Sequence, residues 1–407
     1  MTCQRSLIME KLLEGITVVE LSTAAAGPMA GKLLAEYGAD VIFVEAPSGI
    51  MNRYTIQFGF MFTGKRTIAL DLKTDEGKEV LYRILKRADV FISNFRKKAL
   101  KKLGFWYDDI KERYPSLIYA FISGYGEKGA MKDDPGYDNT AFWGHAGLLH
   151  DMTERSTMDM SIPPQLSGVG DFICGTTLAM GIGMALNYRD RTGKGVKVSA
   201  SLLSLGLYVN ASQMIQLQYG ASYPKSRLEP DRALSNTYPA KDGWFYLITL
   251  NFEKDFPKLL EIIGRQDLIG DPRWQCMEDT EGAGAKELRS IFDQGFRQFP
   301  IKELREMFRE KDLAFGELLG CRDEIDDPQA IENGYLTTIR NADGRVITVP
   351  VSPVRYNDDA HHILSPAPEL GRDTGKILEE YGYTPAMIKK LIQEKTAVAG
   401  KREEDSE

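Results

Sequence analysis

Between Asp159 and Arg189 the chain carries one charged side chain, Asp171, within the stretch SGVGDFICG at residues 167–175. Glycines, small residues and apolar side chains surround it. Two kinds of chemistry suit a carboxylate in that setting. It can cap a helix, because FICGTTLAMGIGMALNYRD behind it reads as a buried helix and Asp is a favoured N-cap. It can also act as a nucleophile, with nearby N–H groups stabilising a tetrahedral intermediate. Flanking glycines let a backbone come close to a ligand, which a plain cap does not require. The residues alone leave both readings open.

A second candidate is NFRKKALKKLGF, where Arg96, Lys97, Lys98, Lys101 and Lys102 follow a strand end. In an acidic protein this local charge reversal suits phosphate groups, or it is a solvated helix face. A third is the unit that opens with VVELS, continues through TAAAGPMAG and reaches a strand ending at Glu45. It loosely imitates a dinucleotide-binding βαβ unit, with an acid for a ribose. The glycine fingerprint is missing, however, and Ala24, Ala25 and Ala26 stand in its place. A helix starting at Gly27-Pro28 would still offer unpaired N–H groups to an anion or an oxyanion. The histidines His145, His150, His361 and His362 fall in no zinc-binding motif, and no GxSxG elbow is present. Metal or triad chemistry is therefore not expected.

These residues need elements to hold them. Short β-branched runs at Gly15 to Ser22 and Ala39 to Pro47, then RTIALDLK, DVFISNF and LIYAFISGYG, alternate with helical patterns. Pro28 suits a first helical turn, Gly38 a stop, and Thr74 the cap of TDEGKEVLYRILKRA. Alternation of this kind predicts an α/β fold, a mostly parallel sheet with flanking helices. From Ala221 to about Cys321 the pattern changes to a smaller α+β domain. It enters by the polar segment ASYPKSRLEPDRALSNTYPA and an aromatic strand in KDGWFYLITL. The expected organisation is 1–220 as a large domain, 221–325 as a small domain with linkers, and 326–407 as a return to the large one.

The chain has 407 residues and a formal net charge of −7, a balance unlike that of nucleic-acid binders. Cys3, Cys174, Cys276 and Cys321 form no CxxC pair, as expected of a reduced cytosolic protein. Charges interrupt MTCQRSLIMEKLLEGI, so no signal peptide is expected there. The apolar run around Asp171 is broken by glycines and by the aspartate itself, so no membrane span is expected either. The tail GKREEDSE is expected to fray.

In order along the chain, LLEGITVVELS, AGPMAGKLLAEYGADVIFVEAP, ALDLKTDEGKEVLYRILKRADVFISNFR, ISGYGEKG, PGYDNTAF, GDFICG, TGKGVKVSASLL, DPRW and SPAPELGRDTGKILEEYGY make a specific combination. The chain resembles the class III CoA-transferases, the family of formyl-CoA transferase and carnitine CoA-transferase, over nearly its whole length. GYGEKG followed by DDPGYDNTAF is most similar to the clostridial branch that acts on 2-hydroxyacyl and aryl-lactyl CoA esters in amino-acid fermentation.

The resemblance implies that Asp171 attacks an acyl-CoA thioester, giving an aspartyl-acyl anhydride and then an aspartyl-CoA thioester, from which an acceptor acid collects coenzyme A. It implies CoA-binding roles for Leu70, Lys73, Asn94, Phe95, Lys102 and Tyr137. An oxyanion and substrate pocket is implied at Ala25, Ala26, Gly27, His145 and Gly170. It also implies coenzyme A as substrate with no permanently bound cofactor, and a Rossmann-like large domain in an interlocked homodimer. The crossing segment at 221–239 and another after Cys321 would be its linkers.

Departures from the family pattern are visible. Ala46 follows Glu45 where some relatives carry Arg, and LITLNFEKDF lacks the glycine-rich loop of formyl-CoA transferase. Ala25 stands where that enzyme has Gln, and His145 where the 2-hydroxyacyl branch tends to have Arg. The racemases of the superfamily use a His in GHD; here GYD holds Tyr137, and a phenol with the usual pKa of about 10 is a poor base at neutral pH. A racemase-type isomerase and a non-catalytic CoA-binding protein are the alternatives to a transferase.

Overall fold

The computed structural model describes residues 11–51, 53, 55–155, 160–161, 166–340, 344–357 and 365–400. Cys3, His361, His362, the first ten residues and the tail beyond Gly400 lie outside them. The chain divides into two compact units. One is Met1–Leu148, Gln165–Ser212 and Pro328–Glu407, and the other is Leu149–Pro164 and Gln213–Asp327.

In chain order the first unit begins β1 (Thr17–Leu21), α1 (Ala26–Glu36), β2 (Asp40–Glu45), α2 (Ile56–Met61), β3 (Arg66–Leu70), α3 (Asp75–Leu85), β4 (Val90–Ser93), α4 (Lys97–Leu103), α5 (Tyr107–Ile110) and β5 (Ile118–Ser123). A π-helical segment follows at Asp138–His145. Next in the chain come α6 (Leu148–Asp151) and the two-residue strands β6 (Glu154–Arg155) and β7 (Met160–Ser161), which from Leu149 belong to the second unit. Then come α7 (Val169–Thr192), β8 (Lys197–Ser201) and α8 (Leu202–Val209) of the first unit, and α9 (Ala211–Gln218), which passes into the second unit at Gln213.

The expected stop and start signals do their work. Pro28 lies in the first turn of α1, where its missing N–H costs nothing. Gly38 takes a φ of 99° after that helix, a conformation suited to glycine. Thr74 caps α3 by accepting from the Gly77 N–H at 3.1 Å. The basic run forms α4, and Gly104 closes it in the left-handed conformation.

The second unit continues with β9 (Ser235–Pro239), β10 (Trp244–Ile248), α10 (Phe252–Ile262), α11 (Gly282–Phe296), α12 (Ile301–Glu310), β11 (Phe315–Glu317) and α13 (Cys321–Glu324). Its three-stranded antiparallel sheet runs β11-β10-β9. One face of β10 buries Phe245 and Leu247 with Phe292, Phe296 and Phe308 of the helices. The chain then returns through α14 (Pro328–Glu332), β12 (Leu336–Arg340), β13 (Val346–Pro350), α15 (Thr374–Glu380), α16 (Pro385–Gln393) and β14 (Ala397–Val398).

The main sheet has the order β14-β3-β2-β1-β4-β5-β8. Every pairing in it is parallel except that of β14 with β3. This is the mixed α/β architecture expected, with an antiparallel edge strand added. β1 lies at its centre, and the chain leaves β1 to one side and β4 to the other. The strand order reverses there, and the crevice beyond the C-terminal strand ends at such a switch point, here those of β1 and β4, is the place where open α/β sheets hold ligands.

Candidate active site

Asp171 is the third residue of α7, not its cap. The helix begins at Val169, and Gly168 occupies the N-cap with φ 84°, a left-handed conformation that glycine adopts without strain. The Gly168 N–H donates to Asp138 Oδ2 at 2.9 Å. The capping reading of Asp171 is thereby corrected: a turn made by glycine and tied from outside starts the helix two residues earlier. The expectation of a buried helix is corrected too. Met180, Met184 and Tyr188, spaced four apart along α7, are exposed in the single chain. α7 is long and apolar enough to cross a membrane by length and composition, but one side of it packs on the main sheet and α1.

The glycines around Asp171 have separate structural reasons. A Cβ on Gly170 would meet Asp138 Oδ1 at 2.4 Å and the Phe142 ring at 2.3 Å. One on Gly175 would sit 2.7 Å from the Ala26 carbonyl oxygen and 2.6 Å from Met29 Cβ. Gly175 therefore lets α7 press against the first turn of α1. Residues four apart share a helix face, so Asp171 rises from the same face one turn earlier.

The first turn of α1 is built as a donor site. Its N-cap, Ala25, makes no side-chain cap bond, and early helical N–H groups have no partner inside the helix. A buried scaffold holds it. Lys65 Nζ donates to the Pro28 carbonyl at 2.8 Å and to Glu20 at 2.7 Å, and Ser22 donates to the other Glu20 oxygen at 2.6 Å. Across the crevice, Asn94 clasps Thr23 twice: the Thr23 N–H donates to Asn94 Oδ1 at 2.9 Å, and Asn94 Nδ2 donates to the Thr23 carbonyl at 2.6 Å. The loops after β1 and β4 thus form one braced rim.

Among the described residues the Asp171 carboxylate makes no hydrogen bond or ion pair. Burial pushes its carboxyl up to about 7, and the Asp138 carboxylate adds to the rise. Its position in the first turn of a helix works in the opposite sense, favouring the anion. Burial, with a smaller contribution from Asp171, pushes the Cys174 thiol up to about 12. At neutral pH Cys174 is a thiol and a poor nucleophile. An apolar cluster adjoins Asp171: Ala25, Ile50, Phe60 and Phe172, all half-buried, pack against Met29, Phe43, Phe58, Met61 and Phe62.

The other expected site residues are spread over the same unit. Leu70 ends β3 with its side chain in the core, and its backbone faces Ala397 of the antiparallel edge strand β14. Lys73 is exposed just beyond, its N–H held by Asp71. Phe95 is half-buried beside Asn94, and Lys102 is exposed on α4. Tyr137 is 60% exposed. Ala26, Gly27 and Gly170 are buried, and a Cβ on Gly27 would meet Ser22 Cβ at 2.7 Å. His145 is exposed, its ring edge-on to Tyr125 at 5.6 Å. The sequence reading missed Asp138, Phe60 and Phe172. Asp138 stood in the GYDNTAF stretch, but nothing in its spacing to Asp171 indicated that a π-helical turn would bring it to the start of α7.

The pattern of CoA-transferase family III matches residues 13–374. The chain is 33% identical to the (R)-2-hydroxy-4-methylpentanoate CoA-transferase of Clostridioides difficile, over 93% of this chain and 97% of that protein. It is 32% identical to the cinnamoyl-CoA:phenyllactate CoA-transferase of Clostridium sporogenes, over 96% of this chain and 98% of that one. A crystal structure of a CaiB/BaiF family protein from Brucella suis superposes with a TM-score of 0.77 at 28% identity, covering 91% of this chain and 99% of that chain. The chain is a CoA-transferase and belongs to CoA-transferase family III.

Proposed function

We propose that this enzyme moves coenzyme A from an acyl-CoA donor to a carboxylic acid acceptor through covalent intermediates on Asp171. The observation that carries the reading is an unpaired, half-buried carboxylate in the first turn of α7, on the face that meets the uncapped turn of α1. An Asp171 oxygen attacks the thioester carbonyl, the C–S bond breaks, and coenzyme A leaves as thiolate. The thiolate attacks the Asp171 carbonyl of the resulting anhydride, expelling the donor acid as carboxylate and leaving an aspartyl-CoA thioester. An acceptor carboxylate attacks that thioester, and the released thiolate then takes the acceptor acyl group and frees Asp171. Thioester energy is kept throughout, and each hard exchange becomes two easier ones. N–H groups at Ala26 and Gly27 are suited to the oxyanions.

The acyl group is an apolar, aryl or branched chain of medium size, in keeping with the two clostridial relatives. Ala25, Ile50, Phe60 and Phe172 offer it apolar surface. Lys73 and Lys102 serve the phosphates of coenzyme A, with Phe95 and Tyr137 beside its apolar parts and Leu70 contributing backbone. The Asn94 amide braces Thr23 and thereby shapes the CoA-side rim. His145 contacts the acyl substrate. The enzyme works in the cytoplasm as a homodimer, interlocked as its resemblance implies. The exposed apolar stripe of Met180, Met184 and Tyr188, with Tyr208 of α8, supports such a partner.

Incubation with a panel of acyl-CoA donors, followed by hydroxylamine trapping and mass spectrometry, tests this reading. A hydroxamate at Asp171 is expected with apolar donors. Its absence with every donor, or deuterium wash-in at the α-carbon without an acceptor acid, would replace the transferase mechanism with an isomerase.

A further inference from the structure

The Asp138 side chain is 94% buried by its 6% exposure, and its two oxygens do different things. Oδ2 accepts the Gly168 N–H at 2.9 Å, fixing the residue from which α7 starts. Oδ1 is buried with no hydrogen-bond partner and lies against the Gly170 backbone, where a Cβ would be 2.4 Å away. Gly170 immediately precedes Asp171. A buried, unsatisfied carboxylate oxygen is costly, and one retained beside a reactive group calls for a reason.

We infer that Asp138 is the positioning residue for Asp171: its tied oxygen sets the start of α7, and its free oxygen places an uncompensated charge beside the nucleophile. This rests on the reading of Asp171 as the nucleophile. The charge matters because Asp171 changes charge during turnover. Free Asp171 is an anion, whereas the anhydride and the aspartyl-CoA thioester are neutral at that residue. Repulsion from Asp138 raises the free carboxylate in energy and is relieved on acylation, so covalent intermediates gain relative to the resting state. It also makes the attacking oxygen more basic, in keeping with the upward shift of the Asp171 carboxyl.

Among the described residues, Asp138 is the charged group that acts on Asp171. α7 is packed by α1, the π-helical segment, β5, β8 and α8. On α1, Lys32 pairs with Glu36 at 2.5 Å. Lys197 of β8 pairs with Glu127 at 2.5 Å. His145 ends the π-helical segment against Tyr125. β5 and α8 bring the tyrosines Tyr119 and Tyr208. On α7 itself the nearby titratable group is the Cys174 thiol.

Asp138→Asn separates the two roles, because its side-chain oxygen can still accept from Gly168 while the charge is gone. Thiol release in a single turnover of the full enzyme is followed against pH, together with the fraction of Asp171 trapped as hydroxamate at steady state. The acid limb is expected to move down by about one pH unit or more, and the trapped fraction to fall severalfold. An unmoved limb with a wild-type trapped fraction overturns the inference. Failure of the wild-type enzyme to yield any Asp171 hydroxamate overturns instead the nucleophile reading beneath it. Infrared titration of the wild-type protein provides a check free of folding effects in the Asn variant. A carboxylic acid band that disappears near neutral pH, and is missing in Asp171→Asn, is expected, and its absence counts against the inference.

Discussion

Gly175 of α7 and Ala26 of α1 approach so closely that a methyl group on the glycine would stand 2.7 Å from the alanine carbonyl oxygen. Backbone cannot yield there as a flexible side chain can. Gly175→Val should therefore push the helices apart, lowering stability by about 1–3 kcal/mol. Because Asp171 lies one turn away on the same face, transfer should fall further than the folded fraction does. Urea denaturation and steady-state assay on the same preparation separate the two effects.

Asp171→Asn should abolish transfer, with a loss of about 10³-fold or more, while acyl-CoA binding measured by calorimetry persists. Its effect on stability has the opposite sign. An aspartate in the unfolded chain titrates at about 3.9, and the folded protein holds Asp171 up to about 7. Between those values the folded state binds more protons than the unfolded one. The contribution of Asp171 therefore falls as pH rises through the window, and the deficit is complete above it. At pH 8 the Asn variant should be more stable than the wild type by about 1–3 kcal/mol. A variant less stable than wild type at pH 8 would contradict the burial of an unpaired anion.

The first acylation should also show an acid limb. Protonated Asp171 cannot attack, so thiol release should rise with pH and level off above about 7. Stopped-flow detection of the thiol resolves this step from later ones, and a limb centred near 4 would mean a solvated aspartate.

Asn94→Ala should cost about 1–2 kcal/mol by releasing both Thr23 backbone groups at the crevice rim. Hydrogen exchange should speed up at Thr23. If exchange there stays as slow as in the wild type, the clasp is not what holds the loop.

Lys102→Ala, by contrast, should leave the denaturation midpoint unchanged, because the side chain is exposed on α4. The KM for acyl-CoA should rise about two- to fivefold, and the rise should shrink in high salt. A salt-independent KM would remove Lys102 from the phosphate site.

Much of the fold was legible because its signals are local. β-branched runs marked the parallel strands, and Pro28, Gly38 and Thr74 marked helix ends through their own backbone preferences or capping groups. Asp171 was legible as a singular charge, though not its place in the helix. A favoured N-cap type gave way to Gly168, whose left-handed turn is held by a residue thirty positions earlier. Long-range bonds of that kind leave no periodicity to read. Nor does the π-helical segment, whose wider turn aligns Asp138 and Phe142 against Gly170. The antiparallel strand at Ala397–Val398 was invisible for another reason: two residues carry no alternation.

That small strand has a consequence for how the protein is made. β14 covers the edge of β3, pairing Ala397 with Leu70, and Thr396 accepts the Asp71 N–H at 2.8 Å. Until translation reaches Asp373 and Thr374, which bond to Thr67 and Ala69, and then β14, the β3 edge of a growing polypeptide is not closed, although the whole second unit has already been synthesised. An open edge invites pairing with a neighbouring nascent chain. On a polysome, where sister copies emerge side by side, the interval between synthesis of Leu70 and Ala397 is the period of greatest exposure to misassembly, and the one in which a chaperone would be of most use.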